Sequence, residues 1–174
     1  PGHYAITALQ KEFGKDVRVS TQNIDTLHQE AGTENVYPIH GTVETCTCLR
    51  CGHIVNSEDL FPAIARERIP RHKDNGCGGL YKPGIVFFGE SLPLDMVMRS
   101  ETAMRHAQVV VIAGTSLKVY PAAGLPLSRQ RSSSLLILNR NETTMDNEAD
   151  LIIRDKAGNV LADAVALMQG RLAV

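Results

Sequence analysis

Three short apolar runs in the last third of the chain constrain its fold more than any other feature. They are "VVVIAGTS" from residue 109, "SLLILNRNE" from 134 and "DLIIRD" from 150. Each is continuous in apolar residues instead of alternating, which is the pattern of a strand covered on both faces. The first two end in small or polar residues. A helix-like segment around "AAGLPLSRQR" separates those two, and "NVLADAVALMQG" reads as a terminal amphipathic helix. Strands alternating with helices in this way predict an α/β fold, a parallel sheet with helices on both faces.

The rest of the chain carries weaker versions of the same signals. "HYAITALQKEF" places Ile6, Leu9 and Phe13 at helical spacing, with Gly14 as the stop. "DVRVS" and "NVYPIHG" fit short strands, the second at an edge or interrupted near its end by Pro38, with a turn or two of helix over "TLHQEAG" between them. From Val43 to about Lys82 cysteines and charges replace the strand rhythm, so residues 43–82 read as an inserted module, with a helix over "SEDLFPAIARERI". "GIVFFGE" reads as a buried strand closing on Gly89, and "LDMVMRSETAMRHAQ" as a helix.

Composition removes several functional classes. At a net charge of −1 the chain has no electrostatic footprint for nucleic acid. No apolar run approaches the roughly 18 residues of a membrane span. No secretory signal is visible. The opening "PGHYAITALQKEFG" reads as the middle of a longer pattern, which suggests a fragment or a processed chain. Without an export signal, Cys46, Cys48, Cys51 and Cys77 read as reduced thiols or metal ligands, and the expected compartment is the cytoplasm.

In a parallel α/β sheet, ligands bind beyond the carboxyl ends of the strands. The residues there are 20–25, His40-Gly41, Phe88-Gly89-Glu90, Gly114-Thr115-Ser116 and Asn139-Arg140-Asn141. This mixture of small, amide and hydroxyl residues with one histidine suits a polar, phosphate-bearing ligand. Taken singly each is weak: Gly-Thr-Ser is an ordinary turn, Asn139 an ordinary turn former, and Asp25 an ordinary loop carboxylate or helix cap. No GxGxxG fingerprint is present. His40 gains interest from its place at a strand end, because a side chain with a near-neutral pKa can take a proton at physiological pH.

Cys48-Leu49-Arg50-Cys51 is stronger, since C-x-x-C spacing lets two sulfurs face one ion. A second pair is expected about 15–20 residues on. There Cys77 fits, but the position three before it is Asp74; carboxylate can bind zinc, and His72 or Cys46 competes for the fourth place. A structural zinc is expected, and a knuckle held by packing alone is the alternative.

The order of these pieces resembles the sirtuins, the NAD-dependent protein lysine deacylases. Thr21-Gln22-Asn23-Ile24-Asp25, Leu27-His28, His40-Gly41, Cys48 to Cys51 with Cys77, Phe87-Phe88-Gly89-Glu90, Gly114-Thr115-Ser116, Val119-Tyr120-Pro121 and Asn139 follow one another as in that family, over essentially the whole chain. The resemblance implies a Rossmann-type NAD-binding domain over 1–42 and 83–174, with a zinc-binding module inserted at 43–82. It implies that Gln22, Asn23, Ile24 and Asp25 line the nicotinamide and ribose end of an NAD pocket. Gly114, Thr115, Ser116, Asn139 and Ala157 would hold the remainder of the cofactor. Val86, Phe88, Gly89, Glu90, Val119 and Tyr120 would meet an acyl-lysine protein or peptide, bound as an added strand. His40 would be the general base, with Asn23 and Asp25 as its catalytic companions, and Cys48, Cys51, Asp74 and Cys77 would be the zinc ligands.

The implied reaction is an acyl transfer giving nicotinamide, O-acyl-ADP-ribose and deacylated lysine. Two residues depart from the family pattern: Thr26 stands where Gly is usual, and Asp74 where the third zinc cysteine belongs. The family's Gly-Ala-Gly phosphate loop, first strand and cofactor lid would precede Pro1, so weak activity is expected of this chain by itself. Two other readings use the same residues. One is an ADP-ribosyltransferase with a protein side chain as acceptor, and the other a non-catalytic zinc- and NAD-binding module. Acyl-chain preference is not legible.

Overall fold

The computed structural model describes residues 1–66 and 68–171. The chain separates into two compact units, one of Pro1–Ser20, Leu27–Tyr37 and Leu94–Val174, the other of Thr21–Thr26 and Pro38–Pro93.

The first unit is organised by three parallel strands: β6 (Val109–Ala113), β7 (Ser134–Leu138) and β8 (Leu151–Ile153), paired in that order. Before them in the chain come α1 (Gly2–Lys11), β1 (Val19–Thr21), α2 (Leu27–Glu30), β2 (Val36–Pro38), β3 (Gly41–Cys48), β4 (Ile54–Asn56), α3 (Phe61–Ile64), β5 (Tyr81–Ile85) and α4 (Leu94–His106). After β8 comes α5 (Ala157–Met168). The register is continuous, with Ala113 beside Leu138 and Leu138 beside Ile153, so the three carboxyl ends lie level. The central strand is the most buried: Leu135 and Ile137 are inaccessible to solvent. They pack with Val110, Ile112, Leu117, Ala123 and Met145, and Met104 of α4 and Ile152 of β8 lean on this cluster. Alternate residues of β6, Val109 and Val111, are exposed. The β7 end is closed by Asp150, whose carboxylate accepts from the Leu135 N–H at 2.7 Å. α1 packs on α5, and Ser20 at the end of this unit's first segment donates to the fully buried Ser100 of α4 at 2.7 Å. These elements bear out the α/β expectation.

The second unit contains an antiparallel sheet in the order β4-β3-β5. Two expectations fail here. The helix over 57–69 is broken into a 3-10 turn, Ser57–Leu60, and the single turn of α3. Pro62 is the reason: it supplies no N–H and its ring excludes the carbonyl four residues back, so the first turn cannot run into the second as one α-helix. Glu67, which that helix included, lies outside the described residues. The strand expected over 84–90 ends instead at Ile85, and the Phe87 and Phe88 side chains are exposed, Phe88 completely. β1 and β2 form a separate two-stranded sheet that ends at Pro38, a residue with no N–H to extend it.

Candidate functional site

In the second unit, the loop Thr21–Thr26 and the turn carrying His40 are laced together by the backbone. The Ile39 N–H donates to the Thr21 carbonyl and the Val43 N–H to the Ile24 carbonyl, both at 3.0 Å. Within the loop, the Asn23 N–H donates to Thr21 Oγ1 at 3.1 Å. His40 Nδ1 stands 3.1 Å from the Gln22 carbonyl oxygen. A carbonyl only accepts, so Nδ1 carries the proton and Nε2 keeps its lone pair.

The His40 carbonyl in turn accepts from the Val86 N–H at 2.9 Å. Gly41 makes this approach feasible. Its φ is +74°, and a Cβ there would run into the Gly84 carbonyl on β5. The structure therefore brings Gln22, His40 and Val86 together. Asn23 and Ile24 are exposed in the same loop, and Asp25 is half-buried.

The turn after Val86 is braced by charge. The Glu90 carboxylate accepts from the Phe87 N–H at 2.9 Å and pairs with Lys82 Nζ at 2.9 Å. Lys82 also donates to the Ile85 carbonyl at 2.7 Å and lies 4.5 Å from the centre of the Phe87 ring. The Phe87 N–H, seconded by Lys82, holds the Glu90 carboxyl below the usual carboxylate range. Phe88 and Gly89 are left exposed at the tip.

In the first unit the level ends of β6, β7 and β8 carry a second group. The Gly114 N–H donates to the Leu138 carbonyl and the Asn139 N–H to the Ile153 carbonyl, so Gly114 and Asn139 follow adjacent strands. Thr115 Oγ1 accepts from the Leu117 N–H at 3.3 Å, shaping the turn that also holds Ser116. Asn139 Nδ2 donates to the Asn141 carbonyl at 2.8 Å, and Arg154 donates to that same carbonyl at 2.9 Å. Ala157 is the first residue of α5, which starts just beyond β8. Val119 and Tyr120 are exposed in the segment after Ser116.

The cysteines gather elsewhere in the second unit. Ligand atoms of Cys48, Cys51, His72 and Cys77 all lie within 4.8 Å of one another, a group able to hold a metal ion. Cys48 Sγ is 3.7 Å from Cys77 Sγ, and Cys51 Sγ is 3.1 Å from His72 Nδ1. Burial acts to raise the Cys48 thiol, but the N–H groups of Cys51 and Arg50 and the sulfurs of Cys51 and Cys77 prevail, bringing its pKa down to about 6. The Cys51 thiol moves the other way: the His53 N–H draws it down, but burial and the neighbouring sulfurs push it up.

Asp74, the residue expected to complete this set, is not one of the four. It opens a 3-10 turn, its side chain is largely exposed, and its carboxylate lies 3.4 Å from His72 Nε2. Cys46 is buried on β3 with its sulfur 3.4 Å from Ser57 Oγ, outside the group.

Two structural supports escaped sequence reasoning. Lys82 stands at the edge of the module recognised by its cysteines and charges, and Arg154 follows the apolar run of "DLIIRD"; neither position by itself signals a bracing role. Arg154 pairs with Asp146 and braces the Asn139 turn.

A sequence model of the Sir2 family matches residues 1–121. NAD-dependent protein deacetylase 1 of Pyrobaculum aerophilum is 40% identical over 173 residues, covering 99% of this chain and 66% of its own length. NAD-dependent protein deacylase 1 of Archaeoglobus fulgidus is 40% identical over 164 residues, covering 94% of this chain and 64% of its own. The chain thus spans slightly less than two thirds of these relatives. Among solved structures, Sir2Tm bound to a propionylated peptide superposes with a TM-score of 0.88 at 36% identity, covering 98% of this chain and 71% of that one. A complex described as Sir2-p53 peptide-NAD+ gives 0.87 at 35% identity, covering 98% and 70%.

Proposed function

Because the chain belongs to the Sir2 family, we propose that its activity is NAD-dependent deacylation of lysine side chains in proteins, an acyl transfer yielding nicotinamide, O-acyl-ADP-ribose and free lysine. The observation that carries this reading is the hydrogen bond from His40 Nδ1 to the Gln22 carbonyl, which leaves Nε2 as a base beside the Gln22-to-Asp25 loop. The relatives' names, and the acylated peptide and NAD+ in the similar structures, point the same way.

The residues at the strand ends fit the cofactor. A Cβ at Gly114 would meet nothing within 4 Å, so the space above that strand end is open. The N–H groups of Ala157 and Gly158 precede the first bond at the start of α5, which Asn159 makes to the Lys156 carbonyl at 2.9 Å, and such a helix start favours an anionic group. We assign Gly114, Thr115, Ser116, Asn139 and Ala157 to the phosphate and adenosine portions, and Gln22, Asn23, Ile24 and Asp25 to the nicotinamide end. When bound, NAD supplies a ribose carbon activated by departure of nicotinamide. Asn23 and Asp25 orient that end and place negative dipole where positive charge develops. His40 Nε2 removes a proton from a ribose hydroxyl, and the Gln22 carbonyl stabilises the charged ring that results. We assign Val86, Phe88, Gly89, Glu90, Val119 and Tyr120 to recognition of the acyl-lysine segment.

On this reading residues 1–42 and 83–174 serve NAD, and 43–82 form a zinc module whose metal is structural. No helix among the described residues is long and apolar enough to cross a membrane. We place the protein in the cytoplasm, because a cluster of reduced thiols needs a reducing compartment. The test is multiple-turnover formation of deacylated peptide from NAD and an acetyl-lysine peptide by the chain and by His40→Ala. Loss of a general base costs about 100-fold to 10,000-fold in turnover. Unchanged multiple-turnover formation of deacylated peptide by a folded His40→Ala variant would remove His40 from this role. Label from NAD retained on the protein, instead of released in a small product, would favour ADP-ribosyl transfer.

A further inference from the structure

The donor set in the cysteine cluster departs from the four-ligand pattern that the sequence spacing led to. With Cys48 and Cys51 as the first pair and Cys77 as the last cysteine, the spacing assigns the remaining position to residue 74, which is Asp. The fold fills the vacancy from a different place. His72, two residues earlier in the chain, turns Nδ1 to within 3.1 Å of Cys51 Sγ. The Cys48 and Cys77 sulfurs are 3.7 Å apart, against about 3.8 Å for the edge of a tetrahedron with Zn–S bonds of about 2.3 Å.

We propose that this chain binds zinc through three cysteines and the Nδ1 atom of His72, and that Asp74 has become the carboxylate partner of that histidine instead of a ligand. It rests on the reading that the cluster holds a structural metal, and on nothing in the deacylation chemistry.

Four observations converge on His72. The first is the identity of its two ring partners. Nδ1 faces Cys51 Sγ, and the Asp74 carboxylate lies 3.4 Å from Nε2, the ring nitrogen that does not face the sulfurs. Metal-bound histidines characteristically donate their second N–H to a carboxylate in this way. Second, the ring is immobilised from outside. His53 stacks on it at 4.5 Å with planes 8° apart, and the Tyr81 ring centre is 5.8 Å away.

Third, the backbone under His72 is tied to the strand that follows Cys77. The His72 N–H donates to the Gly79 carbonyl, and the Gly78 N–H donates to the His72 carbonyl, both at 2.8 Å. Gly79 sits so close to Cys48 Sγ that any Cβ would collide with it, so the chain at this point admits only glycine. Fourth, His72 is buried whereas the Asp74 side chain is 79% exposed. A neutral imidazole adds no charge to a site already holding three thiolates, and nitrogen suits zinc beside sulfur. The ligand position that spacing assigns to residue 74 is thereby filled two residues upstream, by His72.

The proposal is tested on the whole chain loaded with zinc, by X-ray absorption at the zinc edge and by chelator competition for zinc. The spectrum of the unaltered protein should fit three sulfurs and one imidazole nitrogen, with the outer-shell scattering of an imidazole ring. In competition, His72→Ala should weaken zinc binding on the order of 100-fold, one ligand's share of a structural site. His72→Cys should restore much of it. Asp74→Ala and Asp74→Asn should each cost about tenfold, the low end for a second-shell partner, as its exposure implies. Three sulfurs with an oxygen and no imidazole scattering, or a greater loss from Asp74→Ala than from His72→Ala, would overturn the assignment of His72. A protein that takes up no zinc at all would overturn both this inference and the structural-metal reading. If His72→Ala does not fold, the spectrum of the unaltered chain still decides.

Discussion

The parallel sheet β6-β7-β8 and the antiparallel sheet β4-β3-β5 are each three strands wide, yet they rest on different foundations. Beneath the first lies a continuous cluster of aliphatic side chains centred on Leu135 and Ile137. Around the second, the most buried strand residues are Cys46 and Cys48, while Leu49, Ile54, Phe61, Ile64 and Ile69 are exposed. A unit this small, Thr21–Thr26 with Pro38–Pro93, buries little apolar surface, and a metal or a disulfide is the usual substitute. One sheet is thus held by packing, while beside the other Cys48, Cys51, His72 and Cys77 form a group able to hold a metal ion.

Removing the metal should separate the two sheets most sharply. A structural zinc supplies on the order of 10–16 kcal/mol. A strong chelator should therefore bring amide hydrogen exchange across β3, β4 and β5 close to the unfolded rate, with β6, β7 and β8 still protected. Equal loss of protection in both would break the comparison. The reciprocal change is Ile137→Ala, which opens a cavity in the packed sheet and should cost about 2–5 kcal/mol in urea unfolding. Zinc content should be unchanged; a parallel loss of zinc would show that the two regions do not stand separately.

The smallest effect sharpens the picture within the packed unit. The Thr143 hydroxyl, the Thr143 N–H and Arg154 together hold the Asp146 carboxyl below the usual carboxylate range, against burial. A carboxyl depressed in the folded state adds stability above its unfolded pKa, about 3.9, and loses it as pH falls through the lower folded value. Asp146→Asn should therefore lower the denaturant midpoint at pH 7 and matter progressively less below about pH 4. Denaturant midpoints at pH 7 and pH 3 check this, and an equal cost at both would assign the residue to packing alone.

How much was legible follows from the same contrast. Continuous apolar runs located β6, β7 and β8, because a strand buried at the centre of a sheet has little choice of residue. The same reasoning failed at 84–90, where Phe87 and Phe88 look like core and are exposed at a turn held by Lys82 and Glu90. Apolar composition measures what a residue gains from burial, not whether anything buries it. The helix expected over 57–69 failed for a reason visible in the sequence, since Pro62 was already there to break it.

At the candidate site, the residue types at strand ends and the order of the motifs came from the sequence. That the Gln22 carbonyl meets His40 Nδ1 did not, because hydrogen-bond partners 18 positions apart are set by how two turns fold together. The metal centre makes the same division plainer still. Sequence alone determined that this segment would gather sulfur ligands, because C-x-x-C spacing directs both side chains to one point whatever surrounds them. Only the tertiary structure decided between Asp74 and His72. Which side chain reaches the sulfurs depends on the backbone bonds between His72 and the Gly78-Gly79 segment, the ring stacked against His53 and the glycine beside Cys48. Those are contacts between residues distant in the chain, and local spacing carries no information about them.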